Sequence, residues 1–440
     1  MSPSHAVVIG ASMAGLMAAR TLADHFDHVT VVERDRLPDG PEGRKSVPQG
    51  FHAHTLLIRG KQILEEFFPG LSADLVMHGA VESDSSADVI WHQHGVYKMR
   101  KPCGLIATSM SRPLLEWRVR AHLQRVKNVA LVQGYRVTGL HATPDKTRVT
   151  GVGLEPVDGS GPATSLPADL VVDAGGRGTR APQWLADLGY GAVPVTEIRT
   201  NVGYASRYFR FAGPVAPDFN MCLLMQAPPA TRVGVLFRVE GNRWLLTLQT
   251  MLDDAVPSDE EGMLAFARSL PGPQIAKFLE QAVPDSEIQA HRTPTNLRRH
   301  YEQMARFPDG LVVLGDACTS FNPRYGQGMT TAALGALALR DTLDATGDLA
   351  APGFSRRFQK ALAAAIALPW QASTGEDFAF PQVAGRRPPG AGLINWFMRR
   401  VIRLTAVDHG ALVGFLKVVH LLQGPAGLMR PRLLWRVLFG

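Results

Sequence analysis

HAVVIGASMAGLMAARTLADHFDHVTVVERD, residues 5–35, is the stretch whose reading decides the fold. A short apolar run, Ala6 to Ile9, meets Gly10, and a helix-like segment follows from Met13 to Phe26. A second β-branched run, Val29 to Val32, ends on Glu33. Strand, glycine turn, helix and acid-tipped strand in this order form a dinucleotide-binding unit. Gly10 supplies the tight turn and Gly15 lets the helix approach the strand, with Ser12 and Ala14 between them. The unpaired N–H groups and positive end of the helix draw a pyrophosphate. Glu33, followed by Arg34, falls where a carboxylate accepts the hydroxyls of an adenosine ribose. The middle glycine of G-x-G-x-x-G is replaced by Ser12, which hinders the backbone approach slightly.

Outward from this unit, composition sets the bounds. The chain has 440 residues, 45% hydrophobic and 19% charged, which describes a folded protein of about two domains. Cys103, Cys222 and Cys318 are three widely spaced cysteines without a CxxC pair, which argues against a disulfide framework or zinc site and for a reducing, cytoplasmic setting. The first apolar run is strand-length and leads straight into the nucleotide unit, so it does not read as a signal peptide. The net charge of +7 is located in the tail: residues 385–440 hold nine Lys and Arg against the single acid Asp408. The main body is close to neutral, which argues against nucleic-acid binding.

Along the chain, Arg36 to Gly50 is loop and delivers Pro48-Gln49-Gly50-Phe51-His52-Ala53-His54 into a helical run expected from near Ala53. His52 and His54 at i, i+2 do not share a helix face, so a metal pair is not expected and a polar cluster at a cofactor's edge is. Ser111-Arg112-Pro113 opens a helix with Ser111 as cap. Asp169 to Asp173 is a second buried strand ending in an acid and a glycine turn, Ala174-Gly175-Gly176-Arg177. Alternating segments between Thr196 and Thr250 predict an antiparallel sheet with one face on a core or cavity. The nucleotide domain returns at Gly310 to Ala317, followed by Phe321-Asn322-Pro323-Arg324-Tyr325-Gly326-Gln327-Gly328-Met329 opening a helix to about Leu343.

These three elements together resemble the group A flavin monooxygenases, the para-hydroxybenzoate hydroxylase fold. They are Gly10 to Gly15 with Glu33, Asp173 to Arg177, and Gly315-Asp316 through Pro323 to Gly328. The resemblance implies an α/β protein: a Rossmann-like FAD-binding domain, an inserted antiparallel β-sheet substrate domain and a helical C-terminal region. It assigns residues 1–80, 111–190 and 301–350 to the FAD-binding domain, 81–110 and 191–300 to the substrate domain, and 351–440 to the tail. It implies FAD held by Gly10, Ser12, Ala14, Gly15, Glu33, Arg34, Gln49, Arg112, Asp173, Gly315, Asp316, Gln327 and Met329, with Pro323, Gly326 and Gly328 beside the isoalloxazine ring. NADPH or NADH would reduce the flavin, and a flavin hydroperoxide formed with O2 would oxygenate the substrate. Two positions depart from the family's pattern: Ala174 where glycine usually follows the middle aspartate, and Cys318 where a histidine often stands. The middle motif is tied to NAD(P)H use.

Within the family, Pro48 to His54, Asp173 to Arg177 and Asn322 to Met329 look most like bacterial polyether and terpenoid epoxidases, relatives of squalene epoxidase. Epoxidation of an alkene in a hydrophobic polyketide or terpenoid is therefore the expected reaction, and it needs an apolar pocket and an aimed double bond rather than a base. No acid–base constellation stands out in residues 196–250, which leans the same way. Tyr204, Arg207, Phe209, Phe237 and Trp244 are the pocket candidates, with ordinary sheet packing explaining each equally well. The alternatives are an aromatic hydroxylase of the same family, a geranylgeranyl-reductase-like enzyme, and a non-catalytic lipid-carrier scaffold. In the tail, Phe354 to Leu368 is one expected helix, broken at Pro369. The apolar-basic segments Leu393 to Leu404, Ala411 to Leu422 and Arg432 to Phe439 are too short to span a bilayer. They fit either peripheral contact with the inner face of a membrane or packing over the substrate domain.

Overall fold

The computed structural model describes residues 4–44, 46–347, 351–385, 387 and 389–439. Strand His5–Ile9 is the centre of a five-stranded sheet ordered Leu311–Val313, Leu170–Asp173, His5–Ile9, His28–Glu33, Val129–Gln133. Every pairing in it is parallel, with Ile9 opposite both Asp173 and Val32. Because a parallel sheet is covered on both faces, its strands read as apolar runs, and Ala6, Val7, Val8, Val171, Val172, Leu311, Val312 and Val313 are almost fully buried. The helices Met13–Leu22, Ile58–Phe67, Arg112–Leu123 and Gly328–Asp344 contribute to this core, as does the antiparallel trio Tyr135–Ala142, Val149–Pro156 and Thr164–Pro167.

The carboxyl ends of three neighbouring parallel strands thus deliver Gly10, Asp173 and Leu314-Gly315 to one edge of the sheet. At Gly10 φ is +95°, and a Cβ on Gly15 would stand 1.8 Å from the Gly10 carbonyl oxygen. Only glycine permits a turn this tight against the helix.

The second sheet is mostly antiparallel. Its order is Thr319–Ser320, Gln289–Arg299, Val195–Phe211, Arg243–Thr250, Val233–Val239, Met221–Met225, Val89–Gln93, Val96–Tyr97, with Ala282–Pro284 paired on the side. Side chains alternate across it with period two. One face carries Phe209, Trp244, Leu246 and Leu248 against the helices Glu260–Arg268 and Gln274–Leu279. The other face carries Tyr204, Ser206 and Tyr208, which the register sets opposite Gln249, Thr247 and Leu245, and then Val233, Val235 and Phe237. This second face looks toward the parallel-sheet domain, since the Thr247 hydroxyl accepts the Ala53 N–H at 2.9 Å.

Two local expectations are corrected. The helix expected from Ala53 begins at Ile58; before it lie a 3-10 turn, Pro48–Phe51, and an extended link. The tail helix breaks at Ile366 rather than Pro369, giving Phe354–Ala365 and Ala367–Asp377. Pro369 sits in the first turn of the second helix, where a missing N–H leaves no hydrogen bond unmade.

The tail folds onto the second sheet. Phe378, Phe380 and Val383 pack on Ile198, Val202, Tyr204 and Met251. The helices Ala391–Leu404, His409–Val419 and Pro431–Phe439 build a small core with Trp91, Val96 and Met99 of the hairpin, while Leu393 and Ile394 stay exposed. Among the described residues no helix is long and apolar enough to cross a membrane.

Candidate active site

The glycine turn is tied to its surroundings through Ser12. Its hydroxyl donates to Glu116 at 3.0 Å and accepts from the Arg112 guanidinium at 2.8 Å. Arg112 also pairs with Glu116 at 2.8 Å, one helical turn along. The departure from glycine at this position thus places a hydroxyl in a buried ionic network, and Arg112 is fixed beside the helix N-terminus.

Glu33 is buried at the tip of its strand and accepts the N–H groups of Ala11 at 2.8 Å and Asp35 at 3.0 Å. Arg44 lies between Glu33, Asp35 and Glu116 at 3.2, 3.3 and 2.6 Å. Sequence reasoning missed Arg44 and Glu116, because the first lies in a loop and the second reads as an ordinary helix acid. Arg34 and Gln49, both expected at the cofactor, stand exposed.

At the middle strand Asp173 is buried, accepts the Gly175 N–H at 2.8 Å and takes the Thr179 hydroxyl. Burial pushes its carboxyl up, opposed by those hydrogen bonds and by Arg299. Here Asp173 shapes the turn that launches Arg177, whose guanidinium reaches the Thr295 carbonyl at 2.8 Å and the Ser320 hydroxyl at 3.0 Å. Asp316 differs: it takes no hydrogen bond from a protein group among the described residues, and its charge is answered only at a distance by Arg177 and Arg112 while burial pushes its carboxyl up. Gly315 turns at φ +63°, where a Cβ would come within 2.6 Å of the Ala14 methyl group.

The third loop has its own lock. Asn322 caps the short turn Pro323–Tyr325 by accepting the Arg324 N–H at 3.0 Å. Asp377, fully buried at the end of a tail helix, accepts from Asn296 at 2.6 Å, Asn322 at 2.8 Å and the Tyr325 hydroxyl at 2.8 Å. Burial raises the Asp377 carboxyl to about 6, against the pull of these donors and Arg324. Beyond the turn, Gly326 adopts φ +64° against Thr55, Gly328 faces open space, and the Gln327 side-chain oxygen is buried without a partner, with Met329 buried behind it.

On the sheet face above, His52 sits against Ser206 at 2.8 Å, and Ser206 against Thr247 at 2.6 Å. Burial, then the charges of His54 and His291, hold the His52 imidazole down to about 3, so it is neutral near pH 7. The Tyr204 ring lies 5.1 Å from His52 and stacks on His291 at 6.1 Å. Tyr204 and Phe237 therefore occupy the face toward the glycine loops. Arg207, Phe209 and Trp244 do not, a correction to the expected pocket: they fall on the opposite face, where Arg207 pairs with Glu260 at 2.8 Å and Trp244 packs 5.2 Å from Phe278. Period-two alternation separates positions 204 and 207, which the sequence reading had grouped. Among the described residues no three His, Cys, Asp or Glu side chains gather as a metal ion would need.

Three glycine loops at the carboxyl edge of a parallel sheet, roofed by an inserted antiparallel sheet, define a dinucleotide-binding fold. The chain belongs to the family described as FAD binding domain, which it matches over residues 4–347, the family of FAD-dependent monooxygenases. It is 35% identical over 425 residues to protein Rv3254 of Mycobacterium tuberculosis, covering 90% of this chain and 89% of that one. It is 26% identical over 364 residues to kynurenine 3-monooxygenase of Salinispora arenicola, covering 78% and 73%. Among solved structures, the flavin-dependent brominase Bmp2 shares the fold with a TM-score of 0.68 at 14% identity, covering 95% of this chain and 94% of that one. FAD is the cofactor, and NAD(P)H is the reductant typical of the family.

The residues present fit that cofactor. The helix N-terminus beside Gly10 to Gly15 offers N–H groups to a pyrophosphate, Arg112 adds a cation, and Glu33 retains acceptor capacity for ribose hydroxyls. The Gln327 side-chain oxygen is buried without a protein partner, the condition a bound ligand relieves, and half-buried Asp316 takes no hydrogen bond from a protein group among the described residues.

Proposed function

We propose that this protein inserts one atom of O2 into a hydrophobic organic substrate, most simply by epoxidising an alkene of a polyketide or terpenoid. The balance is NAD(P)H, a proton, O2 and substrate giving NAD(P)+, water and oxygenated substrate. FAD, when bound, would pass the two electrons of NAD(P)H to O2 and so activate it, one oxygen atom of O2 going to the substrate and the other to water. The residues of this chain hold, orient and dry the site. Asn322, Tyr325 and Asp377 fix the turn beside the ring position; the tail and the sheet roof exclude water, which favours oxygen transfer over peroxide release.

The observation that supports the reading is the sheet face above that turn. Register aligns Leu223, Val235, Met225, Val233 and Phe237 on it, an apolar strip on which an alkene can lie without a base. A second reading, aromatic hydroxylation, has its own support: His52, a neutral imidazole on the same face, can hydrogen-bond a phenol hydroxyl and orient it, although burial makes it too weak a base to take the proton.

The test is coupled turnover of the FAD-loaded protein. NAD(P)H oxidation, O2 uptake and peroxide release are measured with prenylated alkenes and with matched phenols. Alkene-dependent turnover with little peroxide, retained in His52→Phe, supports epoxidation. Phenol-dependent turnover lost in His52→Phe replaces it with hydroxylation. NAD(P)H oxidation without O2 uptake would rule out both.

A further inference from the structure

The face of the second sheet that looks toward the glycine loops is not apolar throughout. Register sets Tyr204, Gln249 and Val233 in one row across it, and Ser206, Thr247 and Val235 in the next. Strands Val195–Phe211 and Arg243–Thr250 thus give the face a polar half, and strands Val233–Val239 and Met221–Met225 an apolar half. His52 closes over the polar half: its Nδ1 lies 2.8 Å from the Ser206 hydroxyl and its ring 5.1 Å from that of Tyr204. This half borders the turn Pro323–Tyr325 at two points. A Cβ on Gly326 would stand 3.0 Å from Thr55, which follows His52 in the chain, and the sulfur of Met251, which follows Gln249, lies 3.2 Å from the Arg324 guanidinium.

The protons of this cluster run in one direction. The Thr247 oxygen accepts the Ala53 N–H at 2.9 Å and lies 2.6 Å from the Ser206 oxygen. Both hydroxyls belong to fully buried residues, and among the described residues the Thr247 hydroxyl has no acceptor other than Ser206. Thr247 therefore donates to Ser206, Ser206 donates to Nδ1 of His52, and no hydroxyl proton is left over. The reverse order would strand the Thr247 proton in a dry interior. A neutral imidazole carries one N–H, and burial keeps the His52 ring neutral near pH 7. With Nδ1 accepting, that N–H stands on Nε2, which takes no protein partner among the described residues. Gln249 adds the complementary group: it is 5% exposed, and its side-chain oxygen is sealed from solvent with no partner among the described residues.

We propose that His52 and Gln249 recognise one hydroxyl group of the substrate, His52 donating its Nε2–H to the hydroxyl oxygen and the Gln249 oxygen accepting the hydroxyl proton, while the hydrocarbon remainder lies along the apolar half of the sheet. The inference rests on the oxygenation reading of the same site and narrows its substrate from a plain alkene to an unsaturated alcohol. A hydroxyl suits both groups because it accepts and donates through one atom. An ether satisfies His52 and leaves the Gln249 oxygen unpaired; a hydrocarbon leaves both unpaired. A site built to hydrogen-bond an oxygen rejects the analogue lacking it because its own buried groups are then left unmet.

The test is equilibrium binding to the oxidised, FAD-loaded full chain, read from the flavin difference spectrum. The probes are geraniol, its methyl ether and the corresponding hydrocarbon without oxygen. Each lost partner should weaken binding about fivefold, so that alcohol, ether and hydrocarbon follow in falling order. His52→Phe should abolish the gap between ether and hydrocarbon, and Gln249→Leu the gap between alcohol and ether alone. If a variant does not fold, nitrogen NMR of the His52 ring in the wild-type protein carries the test: a proton on Nε2 supports the proposal and a proton on Nδ1 overturns it. Equal binding of the three probes, no binding of any, or an order untouched by both variants would also overturn it. So would an order kept in His52→Phe together with a shifted resting flavin spectrum, which would assign the Nε2–H to the cofactor. No turnover is involved, so a protein that ranks the probes in this order yet oxygenates nothing sinks the reaction reading alone.

Discussion

Replacing Asp377 by alanine removes one carboxylate and orphans three buried donors, on Asn296, Asn322 and Tyr325. Each unmet donor costs roughly 1–3 kcal/mol, about 6 kcal/mol together at the midpoint. Against this, the substitution relieves a buried carboxylate of its ionisation cost. A carboxyl raised from 3.8 to about 6 carries about 3 kcal/mol of such cost at neutral pH, at about 1.4 kcal/mol per pH unit. The donors win, and Asp377→Ala should lose about 3 kcal/mol near pH 7. Its pH dependence is the sharper signature. The folded-state pKa lies above the unfolded value, so the contribution of Asp377 is complete below pH 3.8 and is lost as pH rises through about 6. Acidification from neutrality toward pH 5 should therefore widen the stability gap between wild type and variant, opposite to the behaviour of a salt-bridged carboxylate. Urea unfolding of the FAD-loaded proteins across that range measures it. A gap that narrows on acidification would refute the placement of Asp377 as a buried, donor-surrounded acid.

Arg44→Met leaves Glu33, Asp35 and Glu116 facing one another without their shared cation; breaking such a buried network costs about 3–5 kcal/mol, and FAD affinity in apoprotein titration should fall with it. Gly315→Ala forces an L-residue to φ +63° and a methyl onto Ala14. The conformational part alone costs roughly 1–2 kcal/mol, and the protein should purify with less flavin and a lower melting temperature. The two faces of the roof sheet separate by a paired test. Phe209→Ala should destabilise by about 3–5 kcal/mol while leaving the substrate KM of the surviving protein unchanged, whereas Phe237→Ala should raise KM or peroxide release. The reverse pattern would mean that the cofactor-facing side has been misassigned.

The parallel-sheet half was legible in the sequence because its signals are local. A β-branched run ending in glycine or acid needs no partner to be recognised, and His5–Ile9, His28–Glu33, Leu170–Asp173 and Leu311–Val313 all fall where the runs lie. The roof sheet was legible as strands but not as faces. Tyr204 and Arg207 look alike as pocket candidates until the register with Arg243–Thr250 assigns them to opposite sides. The lock on the turn Pro323–Tyr325 was illegible for a different reason: Asn296, Asn322 and Asp377 lie far apart in the chain and meet only through tertiary packing. One clue was present. Glu376 and Asp377 are acids at the C-terminal end of a helix, where the helix dipole disfavours negative charge, so something else had to hold them there.

The position of Asp377 also orders events during synthesis. The stretch that matches the FAD family ends at residue 347, and the acceptor that closes the ring-side turn is made about thirty residues later. A nascent chain can therefore complete the turn at Gly10 before the turn Pro323–Tyr325 has its Asp377 acceptor. A chain cut after residue 347 should retain the nucleotide half and lack a firm seat for the ring.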